Sequence, residues 1–432
     1  MSLTRREFLQ MLAVASAAGL NLPGCGAGAA TRKGVVPSNF YDIPQFGNVS
    51  LMHITDVHAQ LTPVWFREPS INIGVGDMLG KSPHLVGDHF LKHYGIAADS
   101  AEANAFTYLN FAEASKRYGK VGGFAHLATL VKTLRAQRPG ALLLDGGDTW
   151  QGSATSLWTK GQDMVDACKL LGVNVMTAHW EFTYGDKRVK EIIEKDLNGH
   201  IDFVAQNVYD TEWNERVFAP SVTKIINGVP VAIIGQAFPY TPIANPRYMI
   251  PTWSFGIRDE DMQKQVEKVR AEGAKVVVVL SHNGMDVDLK MASRVTGIDV
   301  ILGGHTHDAV PKPVSISNAK GKTLVINSGS NGKFLSLIDL DVKDGRVRDF
   351  RYRLLPIFSN ILAPDKEMSD LIARVRAPYK AKLEEKLAIS DDLLYRRGNF
   401  NGTFDQLILD AMMETKGADL AFSPGFRWGV SV

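Results

Sequence analysis

Short apolar segments rich in Val, Ile and Leu recur between residues 48 and 327, and they constrain the fold more than any other feature of this chain. Continuous apolar runs of this length are typical of strands that are covered on both faces of a sheet. The segments are Asn48–Thr55, Ala141–Leu144, Asn174–Ala178, Asp202–Ala205, Val229–Gly235, Lys275–Ser281, Asp299–Leu302 and Thr323–Asn327. Helical patterns lie between several of them, at Phe124–Ala136, Asp186–Asp196, Asp259–Glu272 and Asp286–Val295. The alternation predicts an α/β fold with parallel or mixed sheets.

Side chains that can bind metal ions follow five of these segments, directly after the apolar run. They are Asp56, His58, Asp148, His179, His282, His305 and His307. The carboxyl ends of parallel strands meet at one edge of a sheet, so we expect these side chains to lie close together. The two-residue spacing of Asp56 and His58 lets both face the same way from an extended segment.

The donor types indicate the kind of metal site. Carboxylates and imidazoles without a thiolate suit Mn, Fe or Zn. A lone His or Asp at a strand end is more often a structural group, so the prediction depends on the whole set. Seven ligands are too many for one tetrahedral ion and suit two ions that share a bridge. Asp148 follows paired glycines, which allow a close backbone approach, and can serve as that bridge.

Charge and cysteine content exclude several other classes of protein. The 432 residues include 48 Lys and Arg against 46 Asp and Glu, so a net charge of +2 provides no general attraction to nucleic acid. Cys25 and Cys168 are the two cysteines, which excludes a disulfide framework and a zinc site built from several thiolates. Cys168 lies in an amphipathic helical pattern and is expected to be buried.

Residues 1–30 have the pattern of an export signal. Arg5 and Arg6 precede an apolar run that is too short to span a bilayer as a permanent helix. The paired arginines predict a twin-arginine signal peptide and a periplasmic location. Cys25 follows Leu22-Pro23-Gly24, an imperfect lipoprotein site, so a lipid anchor at Cys25 and cleavage near residues 27–30 remain alternatives.

The ordered motifs resemble those of the calcineurin-like metallophosphoesterases. The pattern is Asp-x-His, Gly-Asp, His-x-Glu, a single His and Gly-His-x-His, and the context at Leu51–His58, Gly122–His126 and Asp145–Thr149 is similar to the 5′-nucleotidase branch. The resemblance implies a four-layer α/β/β/α catalytic domain over residues 45–360. It further implies a linker helix over 365–390 and a C-terminal 5′-nucleotidase-like α+β substrate-binding domain, of which 391–432 would be only the beginning.

The resemblance also implies a division of the ligands between the two metal ions. One ion would be held by Asp56, His58, Asp148 and His307. The other would be held by Asp148, His179, His282 and His305. Asp145 and Glu181 are expected to orient the ligands rather than to bind a metal.

One stretch departs from the 5′-nucleotidase pattern. That branch has an Asn ligand followed by a catalytic His, whereas this chain has His179 followed by Trp180. Trp donates one hydrogen bond and cannot exchange a proton. This departure resembles a subfamily of sulfate thiohydrolases that hold two manganese ions and are exported by the twin-arginine route. The long insertion over 60–120, with Trp65–Ser70 and Gly80–Leu85, is similar to that of the same subfamily.

The subfamily implies an activity, a cofactor and a partner. The expected reaction is the release of sulfate from a cysteine S-thiosulfonate on a sulfur-carrier protein by a monomeric enzyme with two Mn²⁺ ions, with Zn or Fe as alternative metals. Trp180 is expected to shape the pocket; the alternative is a purely structural role in the core. Arg427, in a Gly-rich Arg motif, is expected to bind the anion, against a role as a solvated charge. The alternative functions are a periplasmic 5′-nucleotidase and a metal-binding protein without turnover.

Overall fold

The computed structural model of this chain describes residues 36–37, 39–65, 74–391, 394 and 402–423. The predicted export signal, with Cys25, lies outside the described residues. So do residues 66–70 of the predicted insertion motif and Arg427.

Two six-stranded sheets form the centre of the fold. The first has the strand order β14-β13-β1-β2-β3-β4, in which β1 to β4 are parallel and β13 and β14 are antiparallel. The strands are β1 Val49–Ile54, β2 Leu142–Asp145, β3 Val175–Met176, β4 Asp202–Phe203, β13 Phe334–Lys343 and β14 Arg346–Pro356.

The second sheet has the strand order β11-β12-β10-β9-β7-β6, with a parallel centre of β12, β10, β9 and β7. The strands are β6 Ser221–Ile226, β7 Val229–Gln236, β9 Val276–Ser281, β10 Val300–Gly303, β11 Val314–Asn318 and β12 Gly321–Asn327. A separate two-stranded ribbon pairs β5 Tyr209–Asp210 with β8 Trp253–Ser254.

The helices are mostly short. They are α1 Gly87–Tyr94, α2 Ala101–Phe106, α3 Phe111–Tyr118, α4 Phe124–Gln137, α5 Ala154–Thr159, α6 Gln162–Leu171, α7 Asp186–Glu191, α8 Thr241–Ala244, α9 Asp259–Ala271, α10 Met285–Arg294, α11 Lys366–Arg376, α12 Lys380–Leu383 and α13 Thr403–Lys416. The 3₁₀ turns are Gly76–Met78, Trp180–Tyr184, Arg247–Met249 and Ala377–Tyr379, and one π-helical turn is Ile192–Leu197.

Side-chain alternation along the strands produces four layers. On β1, Val49 and Leu51 point into the core between the two sheets, whereas Met52 and Ile54 point into the core beneath the helices of the first sheet. A third core covers the outer face of the second sheet with residues of α9 and α10, among them Met262 and Met291. Because both faces of the central strands are buried, their sequences are continuously apolar. The predicted α/β/β/α architecture is confirmed, and Cys168 is buried in α6 as expected.

Two predicted segments differ from the structure. The linker helix predicted over 365–390 ends at Arg376, because Pro378 lacks an N–H and its ring clashes with the preceding turn. It is followed by a 3₁₀ turn and the short α12, and residues 384–391 contain no helix.

The insertion over 60–120 is not one continuous loop, since it contains α1 to α3. Of these helices, α1 and α2 enclose their own small apolar cluster around Phe90 and Leu91. The insertion is tied to the second sheet by His84, whose Nε2 lies 2.9 Å from Oδ1 of Asp286 at the start of α10.

No helix among the residues that the structure describes has the length and apolar character needed to cross a bilayer.

Candidate metal centre

The seven predicted ligands lie together at the carboxyl edges of the two sheets. They form two clusters, and within each cluster the possible ligand atoms lie within 4.8 Å of one another. The first cluster contains Asp148, His179, His282 and His305, and the second contains Asp56, His58 and His307. The parallel strands end at this edge, so residues that are far apart in sequence meet here.

Asp148 lies between the two clusters. Its Oδ2 atom is 3.1 Å from Nδ1 of His179 and 3.1 Å from Nε2 of His282 in the first cluster. The same oxygen is 3.8 Å from Nε2 of His58 in the second cluster. A carboxylate in this position can contact two ions at once, which is the bridging role that the sequence predicts for it.

The second cluster is built around Asp56. Its Oδ1 atom lies 3.4 Å from Nε2 of His307 and 3.6 Å from Nε2 of His282. The ring nitrogens Nε2 of His58 and His307 lie 2.9 Å apart. Nitrogens from two imidazoles thus converge on one point beside a carboxylate, as expected of ligands around a cation.

Five of these residues have left-handed backbone conformations that non-glycine residues rarely adopt. They are Asp56, His58, Asp148, His305 and His307, with φ between 50° and 77°. Such strain costs about 1–3 kcal/mol per residue and persists where the surrounding structure over-determines the conformation. Here the loops after β1 and β2 are held by backbone bonds from His58 N–H to the Asp148 carbonyl (2.7 Å) and from Asp56 N–H to the Gly147 carbonyl (2.8 Å).

Glu181 holds the loop that carries Asp148. Its buried carboxylate accepts four backbone N–H groups, from Asp148 (3.2 Å), Thr149 (2.6 Å), Trp150 (3.2 Å) and His179 (2.8 Å). Both strand ends are therefore tied to one side chain, which fixes the distance between Asp148 and His179. All four bonds go to backbone N–H groups and none to a ligand side chain. Glu181 therefore has the geometry of a residue that orients the ligands.

Asp145 supports the same loop from β2. It accepts hydrogen bonds from the Thr149 hydroxyl (2.7 Å) and the Gly147 N–H (3.0 Å). Burial raises the pKa of Asp145 to about 7, although these hydrogen bonds oppose the shift. Its contacts are likewise those of a supporting group.

Replacing Glu181 with Gln is expected to destabilise the fold by about 2–4 kcal/mol, because the amide N–H₂ would face two buried N–H donors and leave them without an acceptor. Urea unfolding of the metal-free protein measures the change. Glu191→Gln, at the exposed ion pair between Glu191 at the end of α7 and Lys195, is the matched control and should change stability by less than about 0.5 kcal/mol. Equal stability of Glu181→Gln and the wild type would show that the four contacts do not hold the loop.

The electrostatics of the clusters suit cations. Burial lowers the pKa of His58 and of His179, which keeps both imidazoles in the neutral form that binds metal ions. Burial opposes a charge on His282 too, but the carboxylates of Asp148 and Asp56 outweigh it and raise its pKa to about 10. The two carboxylates therefore stabilise positive charge at this point.

An unsatisfied ring nitrogen also fits a metal site. Nε2 of His179 is buried and has no hydrogen-bond partner among the described residues. Leaving a buried nitrogen unpaired is unfavourable unless it serves another purpose, and coordination of an ion would satisfy it. Both this atom and the carboxylate and imidazole donor set fit a dinuclear metal centre.

Trp180 lies directly beside the first cluster. Its backbone N–H donates to Oδ1 of Asp148 (2.7 Å), and its half-buried ring lies 5.5 Å from the ring of His179. The ring is therefore not enclosed in the core, which is the structural alternative that the sequence left open. The structure does not place Arg427, which is outside the described residues.

Sequence reasoning missed one side chain at this centre. Phe238 follows the carboxyl end of β7, and its ring packs on His179 and His305. The strand-end rule identifies its position, but Phe carries no ligand atom, so a search for metal donors passes over it.

The four-layer fold and the paired Asp and His clusters define a metal-dependent hydrolase of the metallophosphoesterase class. No family model matches the chain. The sulfate thiohydrolase SoxB of Thermus thermophilus is 33% identical, with a TM-score of 0.82 over 87% of this chain and 69% of that one. A 5′-nucleotidase precursor of Thermus thermophilus shares the fold at 24% identity, with a TM-score of 0.66 over 85% of this chain and 67% of that one.

Curated relatives agree with this class. The 5′-nucleotidase of Rattus norvegicus is 27% identical over 254 residues, which are 52% of this chain and 42% of that protein. Protein UshA of Yersinia enterocolitica is 24% identical over 356 residues, 70% of this chain and 64% of that protein. The chain thus spans about two fifths of the length of the first of these relatives. It belongs to the SoxB family, within the 5′-nucleotidase branch of the metallophosphoesterases.

Proposed function

We propose that this protein hydrolyses a cysteine S-thiosulfonate on a sulfur-carrier protein and releases sulfate. The observation that carries the proposal is the position of Trp180. This residue lies beside Asp148, where the 5′-nucleotidase pattern has a catalytic His. The likeness to the Thermus thermophilus sulfate thiohydrolase supports it. We further propose that the two metals are Mn²⁺, with Zn or Fe as alternatives.

This reaction needs little help from a general acid. The oxygen of water bonds to the sulfonate sulfur, and the bond between that sulfur and the adjacent sulfur of the carrier arm breaks. The carrier persulfide leaves with the electron pair, and both protons of water pass to solvent, so the products are sulfate and the persulfide anion. A persulfide is a weaker base than an alkoxide, so it leaves without a proton from the enzyme. Trp180, which cannot supply a proton, is compatible with this leaving group.

The chain supplies the frame for this chemistry. Asp56, His58, Asp148 and His307 would hold one ion, and Asp148, His179, His282 and His305 the other. When bound, the two ions lower the pKa of water and neutralise the sulfonate oxygens. The N–H of Trp180 fixes Oδ1 of Asp148 and leaves Oδ2 directed to the histidines, so the bridge keeps one orientation. The Trp180 ring would form an apolar wall for the sulfur arm.

Arg427 would bind the sulfonate through two parallel N–H donors. The proposed domain limits are a catalytic domain over 45–360 and a segment of a substrate-binding domain over 391–432. We propose twin-arginine export to the periplasm and action as a monomer on the carrier protein.

Sulfate release without phosphate release is the expected result when the full-length protein, loaded with manganese, receives a carrier-peptide S-thiosulfonate and AMP in parallel reactions. Ion chromatography quantifies both products. Phosphate without sulfate would return the protein to the 5′-nucleotidases. Neither product from a protein with two bound ions would favour a metal-binding protein without turnover.

A Trp180→His variant tests the role of Trp180 in the same assay. A positioned general acid contributes roughly 10²–10⁴-fold, so we expect phosphate release from AMP to rise by at least about tenfold. Trp158→His is the matched control, because Trp158 packs on Tyr379 and Lys382 instead. An equal change in both variants would count against a special role for Trp180.

A further inference from the structure

Phe238 packs against the histidines of one of the two clusters. Its ring centroid lies 3.9 Å from that of His305, at an interplanar angle of 29°, and 4.1 Å from that of His179, at 44°. The ring of His282, from the same cluster, meets its edge at 6.3 Å. In the second cluster, His58 and His307 pack on each other instead, with ring centroids 4.9 Å apart.

The backbone around Phe238 is held in place by buried polar side chains. Asn207 is fully buried and bonds both to the N–H (2.9 Å) and to the carbonyl (2.8 Å) of Ala237. The Thr241 hydroxyl donates to the Phe238 carbonyl (2.9 Å). These contacts leave the ring, which is 5% exposed, little freedom to move away from the histidines.

A phenyl face has consequences for an imidazole that binds a cation. The face of an aromatic ring carries negative electrostatic potential, and a metal-bound imidazole is poorer in electrons than a free one. Stacking therefore favours the metal-bound form over the free form. The ring also blocks rotation of the two imidazoles and keeps water from them. The imidazoles therefore lose less conformational entropy when the metal binds.

We propose that Phe238 is a positioning residue that raises the metal affinity of one site of the pair, the site formed by Asp148, His179, His282 and His305. The proposal rests on the assignment of that cluster as a metal site. Phe238 contacts the ligand side chains of His179 and His305 but has no ligand atom itself. It also makes the two sites unequal, because the ring stacks on histidines of the first cluster.

The test compares manganese binding by the wild-type protein, Phe238→Leu and Phe238→Tyr. Residues that orient ligands typically contribute about 10–100-fold to metal affinity, and we expect Phe238→Leu to weaken one site by that factor. At a free manganese concentration between the dissociation constants of the wild-type site and the weakened site, the variant should hold one ion per chain, against two in the wild type. Electron paramagnetic resonance should then show an isolated ion in place of a coupled pair. Phe238→Tyr keeps the ring face and should restore both ions.

Phe203→Leu is the control for loss of packing. Phe203 is 7% exposed and lies edge-on to Phe182 and Phe218 in the core beneath the helices. Its replacement should lower the melting temperature and leave two coupled ions. Two ions of wild-type affinity in Phe238→Leu, or equal weakening by Phe203→Leu, would overturn the proposal. A wild-type protein that binds no manganese, zinc or iron would instead overturn the metal assignment, and the proposal with it.

Discussion

Replacing Asp148 with Asn is expected to abolish binding of both metal ions. Oδ2 of Asp148 lies within 3.1 Å of two histidines in one cluster and 3.8 Å from His58 in the other, so one substitution affects both sites. Asn keeps the shape but removes the negative charge that offsets two cations. Residues that only hydrogen-bond to metal ligands already change metal affinity by about 10–100-fold. Loss of a bridging ligand should therefore weaken metal affinity by more than about 100-fold at each site.

Metal analysis after equilibration with manganese measures this effect. The proposed sulfate release should fall by about 100- to 1000-fold, as when a main source of electrostatic stabilisation is lost. Asp166→Asn is the matched control. Asp166 lies on α6 and accepts a hydrogen bond from Gln162 (3.0 Å) outside both clusters. Retention of one tightly bound ion by Asp148→Asn would show that Asp148 serves a single site and does not bridge.

Removing one partner of a buried ion pair is expected to cause the largest loss of stability. Arg138 and Asp339 are each 1% exposed, and Nε and Nη2 of Arg138 donate to the Asp339 carboxylate at 3.0 Å. Nη2 also donates to the carbonyls of Ile43 (3.0 Å) and Pro44 (3.2 Å). Asp339→Ala would leave a buried guanidinium without its counter-ion, which costs about 3–5 kcal/mol.

Denaturant unfolding of the metal-free protein measures this loss separately from metal binding. Asp349→Ala is the control, because Asp349 faces Arg351 at 3.5 Å with both side chains exposed, and such pairs contribute about 0–1 kcal/mol. A loss below about 1 kcal/mol in Asp339→Ala would show that Arg138 finds other partners. Metal content should remain unchanged, since the pair joins the end of α4 to β13 and does not contact the clusters.

The central strands and the ligand set were predictable because their signals are local. A strand that is buried on both faces must be apolar along its length, and this is visible in segments such as Val276–Ser281. Candidate ligands such as His282 and His305 follow the strand ends, so their common location follows from the geometry of parallel sheets. The family pattern predicts that Asp148 binds the metal ions and that Glu181 orients the ligands. The contacts of Glu181 are those of an orienting residue.

Other features could not be predicted because their signals are weak or distant. β14 alternates exposed Arg with partly buried residues, so it lacks the apolar run of a central strand. The end of the linker helix is an exception, because Pro378 is a local helix-breaking signal, and the prediction over 365–390 gave more weight to the charged pattern. Arg138 and Asp339 are ordinary surface residue types, and nothing near either of them in the sequence indicates a buried pair.

Apolar patterns in the individual segments were enough to predict the α/β class of the fold, and residue types were enough to predict the chemistry of the donor set, because both are properties of each segment. Three features became visible in the folded chain: which donors meet, how Glu181 ties the loops of Asp148 and His179 together, and that Phe238 packs on one cluster. These depend on distances between residues that are far apart along the chain. Such distances are set by the packing of two sheets and their covering helices, which no single segment encodes.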